Sequence, residues 1–145
     1  MPYKSIEINN ANALVEQVQQ VSHFYKGFSS VDPNNTTAKL FDLALIKQDI
    51  INQFNTRKGE RVMNPNFGSI VWDLLMEPMT PEVRHALNDD ITAICNSDPR
   101  VTPTQINLTE YPTGYIIEVA LLLNGTDQSS VLRLSFDQHI GLSVQ

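Results

Sequence analysis

Hydrophobic positions divide the chain into two regimes. From Leu40 to Ile94 they recur at helical spacing, and from Thr104 to Phe136 they recur at every second residue. Leu40, Leu43, Ile46, Ile50 and Phe54 form one stripe, widened by Phe41, Ala44 and Ile51, with Asp42, Lys47, Gln48, Asp49 and Asn52 between them. This predicts a helix from Thr36 or Thr37, either of which can cap free first-turn amides, to about Asn55. Ser69 to Met76 is a short apolar element of about two turns. Thr80-Pro81-Glu82 reads as a helix start: a hydroxyl cap, a proline at the first position and an acid near the positive end. Val83, Leu87, Ile91 and Ile94 supply that helix with a core face ending near Asn96.

Beyond Asp98-Pro99-Arg100 three strands are expected. Ile106 and Leu108 alternate within Thr104–Thr109, Tyr115–Leu123 is apolar on both faces, and Val131–Phe136 directs Leu132, Leu134 and Phe136 inward. Tyr111-Pro112-Thr113-Gly114 and Asn124-Gly125 are the turns. Helices followed by strands predict an α+β fold, with N-terminal helices packed on a small antiparallel three-stranded β-meander. Residues 36–137 are the expected domain and 138–145 a C-terminal tail without a strong signal. Residues 1–35 hold a weak strand signal at Ile6 and Ile8 and an amphipathic stretch with Leu14, Val18 and Val21. They read as an N-terminal arm, or as a further helical element on the same core.

Composition narrows the function. The 145 residues carry a net charge of −6, which argues against a dedicated nucleic-acid binder. One cysteine and three scattered histidines give no metal-ligand spacing, and no cofactor motif is present. No apolar run approaches the ~20 residues of a membrane span, and the N-terminus lacks a signal-peptide core.

Candidate chemistry is thin. Cys95 ends a helical core face, and His23, His85 and His139 lie in three separate segments. Glu60, Asp73 and Glu77 could serve a glycosidase only if they converged and one had a raised pKa. Glu60 lies between Lys58 and Arg61, which would lower its pKa instead. No catalytic residue is assigned, and an interaction module is favoured over an enzyme. Arg57, Lys58 and Arg61 are either helix-capping cations or a docking patch. Asp98-Pro99-Arg100 is either a plain turn or an exposed arginine held for bidentate contacts.

The stretch from Asn55 to Leu75, NTRKGERVMNPNFGSIVWDLL, has more turn signals than a helix and more large apolar residues than a linker. It resembles the signature of the baseplate wedge, or sheath-initiator, family of contractile-tail bacteriophages. That family is shared with type VI secretion baseplates and is also labelled lysozyme-like. The matching positions are Thr56, Arg57, Gly59, Arg61, Pro65, Phe67 and Gly68, and the resemblance extends over about residues 38 to 136. It implies a scaffold role for Arg57, Gly59, Arg61, Pro65, Phe67 and Gly68, which set the angle between helices. It implies a wedge-core contact at Asp98, Pro99 and Arg100, where this chain has Asp for the family's Glu. By analogy, Tyr115, Ile117, Val119, Val131, Arg133 and Ser135 lie on strands that meet the tail sheath.

The function so implied is a structural virion protein of the tail baseplate, assembled in the host cytoplasm. It would link the wedge's helical core bundle to the first sheath ring and initiate sheath assembly by β-strand addition. The tail tube or hub is a candidate target of the arm, and neither nucleic acid nor membrane is a partner. The alternatives are a lysozyme-like peptidoglycan hydrolase and the type VI secretion counterpart.

Overall fold

A computed structural model describes residues 24–29 and 39–145. In chain order the elements are β1 (Lys26–Phe28), β2 (Lys39–Phe41), α1 (Asp42–Asn55), α2 (Val71–Leu74), α3 (Pro81–Asn96), β3 (Val101–Tyr111), β4 (Gly114–Leu123), β5 (Ser129–Asp137) and β6 (Gly141–Val144). The fold is α+β, but the three-stranded meander is corrected. An antiparallel sheet of four strands runs β3-β4-β5-β6, and β1 and β2 form a separate two-stranded sheet. The fourth strand lies within residues 138–145, where a tail was expected. Asp137 turns the chain by accepting from the amides of His139 (2.7 Å) and Ile140 (3.2 Å), and β6 then pairs Val144 with Leu134. A strand of four residues is too short to show a period, so its pairing is visible only in the fold.

The start of α1 also differs from expectation. Lys39, Leu40 and Phe41 are extended and pair with β1, so the helix begins at Asp42 rather than beside Thr36 or Thr37, which lie outside the described residues. Asp42 takes a left-handed φ of +46°. Its buried carboxylate accepts from the amides of Phe24 (2.8 Å) and Tyr25 (2.9 Å), and its own amide donates to the Tyr25 carbonyl at 3.0 Å. These bonds compensate a conformation unfavourable for a residue with a Cβ. Residues 24–29, assigned to the arm on sequence, are therefore tied to the domain. The amphipathic stretch around Leu14 to Val21 lies outside the described residues.

The second long helix follows its sequence signals. Thr80 caps α3 by accepting from the Val83 amide at 3.3 Å, and Leu87, Ile91 and Ile94 are buried. They join Ile46, Ile50 and Phe54 of α1 and the inward face of β4, Tyr115 to Leu123. Phe136 is an aromatic centre of this core, meeting Trp72 at 5.4 Å and Phe54 at 6.1 Å edge to face. Burial of Cys95 pushes its thiol pKa up to about 11, so it acts as a small core hydrophobe. The opposite face of β4 is half-buried, with Glu118 paired to Arg133 across the strands at 3.3 Å.

Candidate functional site

The signature stretch closes on itself and then onto both long helices. Leaving α1, the chain passes Thr56 to Gly59, loops outward, and returns at Gly68 and Ser69. The Ser69 amide donates to the Thr56 carbonyl at 2.9 Å, and the Lys58 amide to the Ser69 carbonyl at 3.2 Å. Gly59 closes the loop by donating to Pro65 O at 2.9 Å. Gly68 has φ +118°, and a Cβ there would stand 2.7 Å from Thr56 O. Arg61 stacks its guanidinium 3.8 Å from the Phe67 ring centroid. Arg57 pairs with Asp73 of α2, and Trp72 Nε1 donates to Phe54 O at 2.8 Å, pinning α2 against the end of α1. The six predicted scaffold residues thus share one loop.

Asp90 of α3 holds this loop from below. Its buried carboxylate accepts from Ser69 Oγ (2.9 Å), the Ile70 amide (3.0 Å) and Lys58 Nζ (3.3 Å). Sequence reading missed Asp90, although its position carries a signal. It falls at i+3 from Leu87, inside the buried stripe that continues to Ile91 and Ile94, where an acid needs a partner.

The turn after α3 is built differently from the exposed arginine considered above. The Arg100 side chain is only 25% exposed and is forked onto Asp98, with Nε to Oδ1 at 2.9 Å and Nη2 to Oδ2 at 2.6 Å. Nη2 also donates to Asp49 Oδ2 of α1 at 2.7 Å. The Asp98 bond, opposed by burial and joined by Asp49, holds the Arg100 pKa above its ordinary value. Partial burial pushes the Asp98 carboxyl up, but its side-chain and backbone hydrogen bonds from Arg100 outweigh that and leave it below the usual range. Nη1 has no hydrogen bond among the described residues. Asn124 braces the turn, its Nδ2 donating to Pro99 O at 2.8 Å and its amide to Arg100 O at 2.9 Å. A shallow cleft lined by Asp49, Ile50, Gln53, Phe67 and Ser97 to Arg100 brings this turn together with Phe67 of the signature loop.

The sheet separates the predicted strand residues. Tyr115, Ile117 and Val119 belong to β4, which is paired on both sides, and their side chains are buried in the core. Their β-period marked the core rather than an open edge. Val131, Arg133 and Ser135 lie on β5. β6 pairs only with Leu134 to Asp137, and the Gln145 amide reaches Arg133 O at 3.0 Å. From Ser129 to Val131 no described strand lies beside β5 on the side away from β4, and Val131 O there accepts from Lys47 Nζ at 3.0 Å.

The three candidate carboxylates do not all converge on one cleft. Glu60 and Asp73 line one open cleft with Trp72, but Asp73 is paired with Arg57 and Glu60 accepts from the Arg57 amide at 3.1 Å. Glu77 lines a different pocket, beside Tyr111 and Tyr115. Among the described residues, no three His, Cys, Asp or Glu side chains are grouped to hold a metal, and no helix is long and apolar enough to cross a membrane.

Two braced helices therefore pack on the inward face of an antiparallel sheet, a small α+β fold. The chain belongs to the family described as baseplate wedge protein gp25, whose model matches residues 42–128. It is 27% identical over 114 residues to baseplate wedge protein gp25 of Enterobacteria phage T4, covering 74% of this chain and 86% of that protein. Membership makes it a structural protein of the virion, located in the tail baseplate. A solved structure from Geobacter sulfurreducens, designated as a candidate tail lysozyme, shares the fold with a TM-score of 0.52. It is 18% identical, and the match covers 63% of this chain and 90% of that one.

Proposed function

We propose that the chain joins the helical core of the baseplate wedge to the first tail-sheath ring and starts sheath assembly by accepting a sheath strand. The observation that carries this reading is the outward edge of β5 from Ser129 to Val131, beside which no described strand lies. In an antiparallel ladder the N–H and C=O of one residue point to the same side. Val131 O faces Lys47 and not β4, so its N–H also faces outward. A groove lined by Leu43, Ala44 and Lys47 of α1 and by residues 127–130 adjoins this edge. The opposite edge, β3, contains Pro103 and a register shift between Pro103 and Gln105, both of which discourage pairing. Val131→Pro removes an outward N–H without breaking the β4 ladder. Particles carrying it are expected to form baseplates without growing sheath. Full-length sheaths on such particles, with the variant folded, would overturn this role for β5.

The wedge contact is assigned to Asp98, Pro99 and Arg100. Arg100 is already braced by Asp98 and Asp49, so its remaining donors on Nη1 are held in place for a partner's acceptor. Arg100→Ala is expected to weaken binding to purified wedge core subunits by about tenfold or more, and Arg100→Lys to restore only part of it. The fork's own contribution has a defined sign with pH. Asp98 has a lowered pKa in the folded chain, so the stabilisation is full above about pH 4 and is lost as pH falls through the native value. Unchanged wedge binding by Arg100→Ala in a pull-down would remove the turn from the interface.

A further inference from the structure

The outer end of the signature loop presents two apolar side chains to water. Val62 is 93% exposed and Met63 96%. They are carried on a loop closed by backbone bonds from Gly59 N to Pro65 O (2.9 Å), Asn64 N to Arg61 O (3.2 Å) and Phe67 N to Asn64 O (3.2 Å). The charges beside them are unequal. Arg57 is paired with Asp73 and Lys58 with Asp90, whereas Arg61 has no carboxylate partner among the described residues. One face of its guanidinium lies on the Phe67 ring, which leaves its N–H edge available for hydrogen bonding.

We propose that Val62 and Met63 form a plug that enters an apolar groove on a neighbouring protein of the tail assembly, with Arg61 meeting a carboxylate on the groove's rim. The inference takes the baseplate setting from the preceding reading but is independent of the Asp98–Arg100 turn and of the β5 edge. Charge complementarity selects the occupant. The uncompensated cation calls for an acid, and its planar fork suits a carboxylate. Met63 is unbranched and adapts to an irregular groove, while Val62 adds apolar area. A lipid surface fits less well, because one free arginine and no aromatic at the tip give little hold on anionic headgroups.

The test uses methionine oxidation. Free protein and purified tails are treated with dilute hydrogen peroxide, and Met63 sulfoxide is followed by mass spectrometry, with Met76 (72% exposed) in the same digest as a reference. In the free chain Met63 should oxidise at least as fast as Met76. In tails its oxidation should slow by about tenfold or more, as burial of the sulfur requires. An equal Met63 rate in both samples would overturn the plug. Absence of this chain's peptides from purified tails would instead overturn the baseplate reading, and the plug with it. In a second arm, Met63→Asp should reduce incorporation into baseplates by about tenfold while the free chain melts unchanged, and Met63→Leu should incorporate normally. Wild-type incorporation of Met63→Asp would count against the proposal. So would Met63-dependent sedimentation with vesicles of equal parts phosphatidylglycerol and phosphatidylcholine, or a Met63-dependent dimer in light scattering. Those results would assign the tip to a membrane or to a second copy.

Discussion

Asp90→Ala is expected to destabilise the protein by about 3–4 kcal/mol, because it leaves buried donors without an acceptor. Oδ2 of Asp90 accepts from both Ser69 Oγ and the Ile70 amide, and Oδ1 accepts from Lys58 Nζ. Ser69 is fully buried, so its hydroxyl cannot turn to water when the carboxylate is removed. Lys58 is 41% exposed and can rehydrate, so most of the loss comes from the two neutral donors. Asp90→Asn separates these contributions. Its carbonyl can replace Oδ2 while its amide faces the lysine, so the loss should be smaller, about 1–2 kcal/mol. The neighbouring Asp89 side chain is 70% exposed, and Asp89→Ala should change stability by less than about 0.5 kcal/mol. Denaturant unfolding of the three variants checks the order. Equal effects of Asp90→Ala and Asp89→Ala would show that the signature loop does not depend on α3.

Gly68→Ala should have an effect of similar size through a different cause. Its φ of +118° disfavours any residue with a Cβ, and the added methyl would stand 2.7 Å from Thr56 O and 2.8 Å from Arg57 C. Both obstacles are backbone atoms, so no side chain can swing aside. Relief requires the two strands of the loop to separate, at the expense of the Ser69–Thr56 and Lys58–Ser69 hydrogen bonds. Backbone strain of about 1–2 kcal/mol and about 1 kcal/mol for each bond give a loss of about 3–4 kcal/mol. Gly59→Ala is the control, since φ is +88° there but nothing lies within 4 Å of the added carbon. It should lose only the strain. If the two alanine variants unfold at the same denaturant concentration, close approach at Gly68 is not what holds the loop together.

Legibility followed the range of the interactions. α3 was readable because its cap, its first-turn proline and its apolar stripe all lie within one helix. β4 and β5 were readable because a ten-residue alternation and an Asn-Gly turn are local signals. The signature loop was recognisable as a motif, though its geometry was not. Elements of three or four residues, β1, β2 and β6, have no period, and their existence depends on partners supplied by the fold. The direction of the β-period was read correctly at Tyr115, Ile117 and Val119, all three of which are buried. Arg100 looked like an exposed hand because Asp49, one of its two carboxylate partners, is 51 residues away in sequence.

The Asp42 cap bears on where this protein begins as a physical object. The family model matches from residue 42, at the start of α1. The buried Asp42 carboxylate nevertheless takes its amide donors from Phe24 and Tyr25, upstream of that border. A fragment cut at the family boundary would keep the acid and the left-handed turn and lose both amides that compensate them. The folded unit therefore reaches upstream of that border, held there by two hydrogen bonds to one carboxylate oxygen.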